Sequence, residues 1–431
     1  MIKKLFAMMV VVSGSQPFLF AQGNDTITEK DVSRIIHYLA SDSLKGRGNG
    51  RPELLKAGLF IGNEFRKNNL QPLSWLPGYF QPFRPFGGSN QVITDDLVWN
   101  GNKVPVGQFM YIHPIAGNYK EKTLADFKVM RLDDFLKEDI LVSLPADNSD
   151  LLIWTDKKQP DEKTFLPGTV KIPDGGLRRN ILLVYAKKPP ASISLNGNAP
   201  YYNMVEYNVV GVLPGKSKPD EIIAFSAHYD HEGVYLTKSD SILNGANDDA
   251  SGTTALLALM HYFSMRNDNQ RTLLFCAFAG EELGLLGSAD FVKEIKPEKI
   301  VAGINLEMIG VSQFGKNTVF IAGQKYSNLP AILQKGLKRS GINVRNEPDP
   351  GKRLFLRSDN YSFAMRAVPF HTIMASDDND PCYHQPCDEI GRIDISNMTR
   401  IIKAIAASVR TLINGEATPK RIVPAFLPKN D

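Results

Sequence analysis

The chain has 431 residues, 43% of them hydrophobic, and a formal net charge of +4. That is enough polypeptide for two or three domains with ordinary cores. The near-balance of charge excludes functions driven by a strongly basic surface, such as nonspecific attachment to nucleic acid or to an anionic membrane.

The first residues carry Lys3 and Lys4, then the apolar run Leu5 to Val12, a Ser-Gly-Ser-Gln break, and Phe18 to Ala21. This pattern predicts an export signal over residues 1–21 and places the protein in the periplasm or outside the cell. Gly14, Gln16 and Pro17 interrupt the segment, whereas a membrane span needs about 20 continuous apolar residues. No Cys precedes Cys276, so a lipid-modified cysteine just after the leader is excluded.

Residues 22–86 read as helices that pack on a core. Thr28 and Asp31 have capping spacing, and Val32, Ile35, Ile36 and Leu39 recur with helical period. Pro52 opens a second helix running to about Asn69, after a glycine-rich turn at Gly46, Gly48 and Gly50. Residues 87–205 contain short apolar runs, such as Leu151 to Trp154 and Ile181 to Tyr185, separated by Pro, Gly and charged residues. They predict a strand-rich insert, with a helical stretch over about 122–137. Residues 206–414 alternate strand and helix signals. Strands are expected at 208–213, 221–227, 271–279, 300–306, 317–322 and 368–374. Helices are expected at 251–265, from 287, at 329–340 and at 395–413. This predicts an α/β fold with a mixed, mainly parallel sheet flanked by helices. Residues 415–431 form a basic, proline-containing tail.

The chemistry follows the strands. Ile222 to Ala227 leads into His228-Tyr229-Asp230-His231, Leu273 to Ala279 into Gly280-Glu281-Glu282, and Val301 to Leu306 into Glu307. The strand at 368–374 is followed within ten residues by His384. Open α/β sheets place ligands beyond the carboxyl ends of their strands, so His and carboxylate groups converge on one edge. Asp248 and Asp249 sit where a helix cap is expected, but two adjacent carboxylates exceed what a cap requires, and one of them suits a bridge between two cations. Zinc accepts imidazole nitrogen and carboxylate oxygen and keeps a position open in catalytic sites, and paired ions clamp the attacking and developing oxygens of a displacement. Adjacent Glu281 and Glu282 then divide the labour, one binding metal and the other moving a proton. The other histidines, His37, His113, His261 and His371, read as structural, and His231 as solvent-facing or behind the ligands. Cys276 lies in an apolar run and reads as a buried thiol. Cys382 and Cys387 bracket His384 and are expected to form a disulfide in an oxidising compartment.

His228-Tyr-Asp230, Asn247-Asp248-Asp249-Ala-Ser-Gly252, Ala279-Gly-Glu281-Glu282-Leu-Gly284, Asn305-Leu-Glu307-Met-Ile-Gly310 and Tyr383-His384 resemble, in order, the motifs of the M28 family of zinc peptidases. Leu39-Ala-Ser-Asp42-Ser-Leu44-Lys-Gly46-Arg47-Gly48 resembles a stretch found before the core of exported bacterial members. The resemblance implies two zinc ions per chain. His228, Glu307 and bridging Asp248 would hold one, and Glu282, His384 and Asp248 the other. Glu281 would be the general base, acting on a water between the two ions, and Asp230 would orient His228. The implied activity is removal of N-terminal residues from peptide substrates. Glu307 departs from the Asp usual at its position, and in related zinc exopeptidases Glu there goes with carboxypeptidase-type activity. A carboxypeptidase-type hydrolase and a single-zinc cyclase of N-terminal glutamine are the alternatives on the same fold.

Overall fold

The computed structural model describes residues 27–85, 90–92, 96–105, 109–113, 117–137, 150–156, 181–199, 205–234 and 242–428. The expected leader, residues 1–21, lies outside them, as do parts of the expected insert.

Eight strands build the central sheet: β1 (Phe80–Phe83), β2 (Glu206–Leu213), β3 (Lys218–His228), β4 (Arg271–Phe278), β5 (Ile300–Leu306), β6 (Thr318–Ile321), β7 (Asn343–Arg345) and β8 (Phe370–Met374), in the order β1-β2-β4-β3-β5-β8-β6-β7. The three pairings made by β3 and β5 are all parallel, β3 with β4, β3 with β5 and β5 with β8. The edges are mixed: β1, β2 and β4 run antiparallel in turn, and β6 is antiparallel to β8. The sheet is thus mixed and mainly parallel at its centre, as the alternation of signals predicts.

The inner strands are buried on both faces, which is why they read as unbroken apolar runs. Successive side chains point to opposite faces. Ile223, Phe225 and Ala227, with Leu273, Phe275 and Ala277, join one core with the helices α1 (Glu29–Leu39), α2 (Pro52–Lys67), α3 (Ala250–Arg266), α5 (Leu329–Arg339) and α7 (Ile395–Ser408). Ala224, Leu274, Cys276 and Phe278 face the other way, against Phe291 of α4 (Leu286–Glu294) and Phe363 of α6 (Asn360–Ala364). Cys276 is a buried free thiol within that second core.

The chain leaves β3 through α3 to β4 on one side, then returns through α4 to β5 on the other. The carboxyl end of β3 is therefore a switch point, the place where such sheets leave a crevice. Register fixes what lines it: His228 pairs with Phe278, and Leu306 with Ile373, so these strands end level.

Two further sheets come from residues 90–199, one of four strands and one of five. The expected helical stretch over 122–137 is corrected. Gly117–Thr123 and Phe127–Arg131 are strands, joined by a single 3-10 turn at Leu124–Asp126, and only Leu132–Lys137 is α-helical. The two strands pair with different partners, Ile193–Ala199 and Asp150–Thr155, so distant ladder bonds outweigh the local spacing. The tail folds back on the central sheet and its helices: Ile422 and Leu427 are buried, and the Arg421 guanidinium donates to the carbonyl oxygen of Ile300 at 2.6 Å.

Candidate metal centre

Four of the five expected ligands stand beside the end of a strand or helix, and His384 lies on the loop between β8 and α7. His228 is the last residue of β3, Glu281 and Glu282 lie just past β4, and Glu307 follows β5 directly. Asp248 precedes α3, whose N-terminus is capped by Asp249: the Asp249 carboxylate accepts from Gly252 N–H at 3.0 Å and from Met308 N–H at 3.1 Å. Asp249 thus caps the helix and ties it to the segment after Glu307. Gly252 permits the approach, because a Cβ there would lie 2.1 Å from the carbonyl oxygen of Leu306.

Asp248 stands between two imidazoles. Its Oδ1 is 3.3 Å from His228 Nε2, and its Oδ2 is 3.1 Å from His384 Nε2. Glu282 Oε2 also lies 3.2 Å from His384 Nε2. Donor atoms of His231, Asp248, Glu282 and His384 all lie within 4.8 Å of one another. His228 joins this group through Asp248. Glu307 stands outside that four-residue group; it is partly exposed, with its Oε2 buried. Burial pushes the Glu307 carboxyl up, His228 opposing and Asp248 adding, to about 7.

The donor set fits divalent cations. His384 Nε2 sits near two carboxylates yet forms no hydrogen bond, and His231 Nε2, Glu307 Oε2 and Asp249 Oδ2 are likewise buried without hydrogen-bond partners among the described residues. Orphaned buried polar atoms are costly and call for an ion or water. Imidazole and carboxylate converging in this way suit zinc.

The two adjacent glutamates are driven apart. Burial raises the Glu281 carboxyl well above its usual range, with Glu307, Glu282 and Asp359 adding to the rise against His228. Burial also acts on Glu282, but His384 and His231 outweigh it and hold that carboxyl at about 2. The two neighbours thus differ in how tightly each holds a proton, Glu281 more tightly than Glu282. Asp230 fixes both, accepting from the backbone N–H of Glu281 and of Glu282 at 3.3 Å each. Its link to His228 is looser, Oδ1 to Nδ1 being 3.6 Å, while the Asp230 carbonyl oxygen lies 3.2 Å from that nitrogen. Asn49 holds the other side of the Asp230 carboxylate at 2.8 Å.

Several contributors escaped sequence reading. Of the two readings offered for His231, the solvent-facing one is corrected: it is 1% exposed, and its Nδ1 lies 2.8 Å from Glu282 Oε1, behind that carboxylate. Glu232 Oε1 lies 3.1 Å from His384 Nδ1. Asp388 accepts from the backbone N–H of Asn247 and Asp248, fixing the turn that carries the central carboxylate. Its place beside Cys387 was the available signal. Arg47, fully buried, donates to the carbonyl oxygens of Leu39, Tyr229, Asn244 and Gly245 at 2.6–3.0 Å. It therefore clamps the segments on which His228 and Asp248 are mounted. Cys382 and Cys387 form a disulfide that closes the loop bearing His384.

Residues 208–409 match the model of peptidase family M28. Aminopeptidase YwaD of Bacillus subtilis is 26% identical over 288 residues, 63% of this chain and 59% of that protein. Aminopeptidase Y of Saccharomyces cerevisiae is 27% identical over 292 residues, 61% of this chain and 51% of that protein. The chain thus spans little more than half the length of these curated relatives. Among solved structures, the zinc aminopeptidase BSAP from Bacillus subtilis superposes with a TM-score of 0.66 at 18% identity, covering 90% of this chain and 95% of that one, and so shares the fold.

Proposed function

Because residues 208–409 belong to peptidase family M28, we propose that this protein is an exported, zinc-dependent aminopeptidase. The observation that carries the reading is the placement of Asp248, one carboxylate oxygen facing His228 and the other facing His384. A carboxylate so placed could serve two ions. His228, Asp248 and Glu307 would hold one zinc, and Asp248, Glu282 and His384 the second. Zinc bound there supplies Lewis acidity toward the scissile carbonyl and toward water.

The chain's own residues carry the proton and the geometry. Glu281, held in a proton-seeking state by burial and neighbouring acids, takes a proton from the attacking water and delivers it to the leaving amine. Asp230 keeps Glu281 and Glu282 in register through their backbone N–H groups. Glu232 and the disulfide hold His384. The disulfide also supports an oxidising compartment and hence export. Among the described residues no helix is long and apolar enough to cross a membrane.

The test is metal analysis joined to a substrate panel. Free, N-blocked and C-blocked peptides are assayed before and after chelation and zinc restoration. Two zinc ions per chain, with hydrolysis of peptides bearing a free N-terminus, is the expected result. Cleavage of N-blocked peptides alone would assign the carboxypeptidase direction that Glu307 raises. One zinc with cyclisation of N-terminal glutamine would replace the hydrolase, and no turnover after zinc restoration would end the proposal. N-terminal sequencing of protein recovered outside the cytoplasm checks removal of residues 1–21.

A further inference from the structure

His231 is an imidazole at the rim with no assigned task. Three contacts restrict it. Its backbone N–H donates to the carbonyl oxygen of Arg47 at 3.2 Å. Its ring stands edge-on to His384, with centroids 5.4 Å apart. Gly245, at φ +54°, packs against it so closely that a Cβ there would lie 2.4 Å from His231 Cδ2. The ring is thus held with Nδ1 at 2.8 Å from Glu282 Oε1. An ionised carboxylate only accepts, so Nδ1 carries the proton and donates. The other carboxylate oxygen, Oε2, is the one beside His384 Nε2 at 3.2 Å.

We propose that His231 is a positioning residue: its Nδ1–H engages Glu282 Oε1 so that Glu282 presents Oε2 alone to the ion shared with Asp248 and His384. The inference rests on the two-zinc reading above and assigns a donor to one of its ligands. A glutamate turns broadly about its last torsion and offers one or two oxygens to a cation. Fixing that torsion in advance removes the ordering cost from binding, and loss of such a partner typically weakens metal affinity about 10–100-fold. Glu232 stands in the same relation to His384.

The experiment titrates metal-free wild type, His231→Ala and His231→Asn with cobalt(II) against a competing chelator. Circular dichroism establishes that each variant is folded, and the visible cobalt absorption reports the ligand set. Asn offers an amide N–H close to where Nδ1 stands. The expected result is a loss of about 10–100-fold at one of two positions in His231→Ala, recovery of most of it in His231→Asn, and one cobalt spectrum shared by wild type and His231→Asn. Unchanged affinity in His231→Ala overturns the proposal. So does equal loss in both variants with an altered spectrum, which would make His231 a ligand through its buried Nε2. A wild type that takes up no cobalt would refute the two-metal reading itself.

Discussion

In the sheets drawn from residues 90–199, charged side chains meet opposite charges in ion pairs, whereas at the rim of the central sheet acids and imidazoles are buried together. Arg131 pairs with Asp156 at 2.5 Å, both well exposed, and lies over the Trp154 ring at 5.4 Å; Lys122 pairs with Asp150. Beneath them Leu97, Trp99, Leu152, Leu182, Val184 and Leu195 form an apolar core. Packing explains that region. The rim is different: His228, Asp230, His231, Asp248, Asp249 and Glu281 are all buried, and His231 Nε2 and Asp249 Oδ2 lack hydrogen-bond partners among the described residues. Buried charge of this density costs stability unless a cation offsets it. A fold tolerates such a place when the strain serves a task.

The sharpest way to break this contrast is Glu281→Gln. It should lower kcat by about 10²–10⁴-fold while leaving zinc content unchanged; retained turnover in a steady-state assay would remove Glu281 from the chemistry. Next comes Arg47→Met. Stranding four buried carbonyl oxygens should cost at least about 3 kcal/mol in urea unfolding and weaken zinc retention. Arg47→Lys should restore little of either, since an ammonium cannot reproduce the planar fork.

A buried imidazole away from the rim gives the pH arm. The His371 ring takes a hydrogen bond from Ser327 at 2.7 Å and donates to the carbonyl oxygen of Ala322 at 2.8 Å. Burial lowers its pKa to about 4, the Ala322 bond opposing. The unfolded chain therefore binds the proton more readily. His371 contributes stability in full above about pH 6.5, and the contribution disappears as the pH falls from there toward 4. The linkage is on the order of 3 kcal/mol, and unfolding of His371→Gln at pH 5 and pH 7.5 should show a smaller difference than wild type. The smallest effect is expected in the insert: Arg131→Ala should cost under about 1 kcal/mol, as surface pairs do, with catalysis unchanged.

The same contrast explains what was legible. Continuous apolar runs announce inner strands, so Ile300–Leu306 is located to the residue, and Ala250–Arg266 to within one residue of its expected ends. Short edge strands carry no such run. Phe80–Phe83 contains Pro82 and Asn343–Arg345 is mostly polar, and both escaped notice. At the rim, the order of elements reveals which carboxylates and histidines follow strands. It does not reveal their braces: the bonds from Arg47 to Tyr229 and from Asp388 to Asp248 join residues far apart in sequence. His231 could be read as solvent-facing or as behind the ligands because three residues of loop say nothing about where a ring turns.

The stitching of Asn49 to Asp230 and of Arg47 to the ligand-bearing turns bears on how the molecule can be divided. A fragment trimmed to residues 208–409 would keep every proposed zinc ligand and the proton carrier, yet forfeit both fasteners. It would also shed Phe80–Phe83, baring the flank of what remains of β2, residues 208–213, to intermolecular pairing. The stretch from Ile27 to Phe83 is thus a brace for the proposed site, supplied early in the chain and contributing none of the proposed ligands.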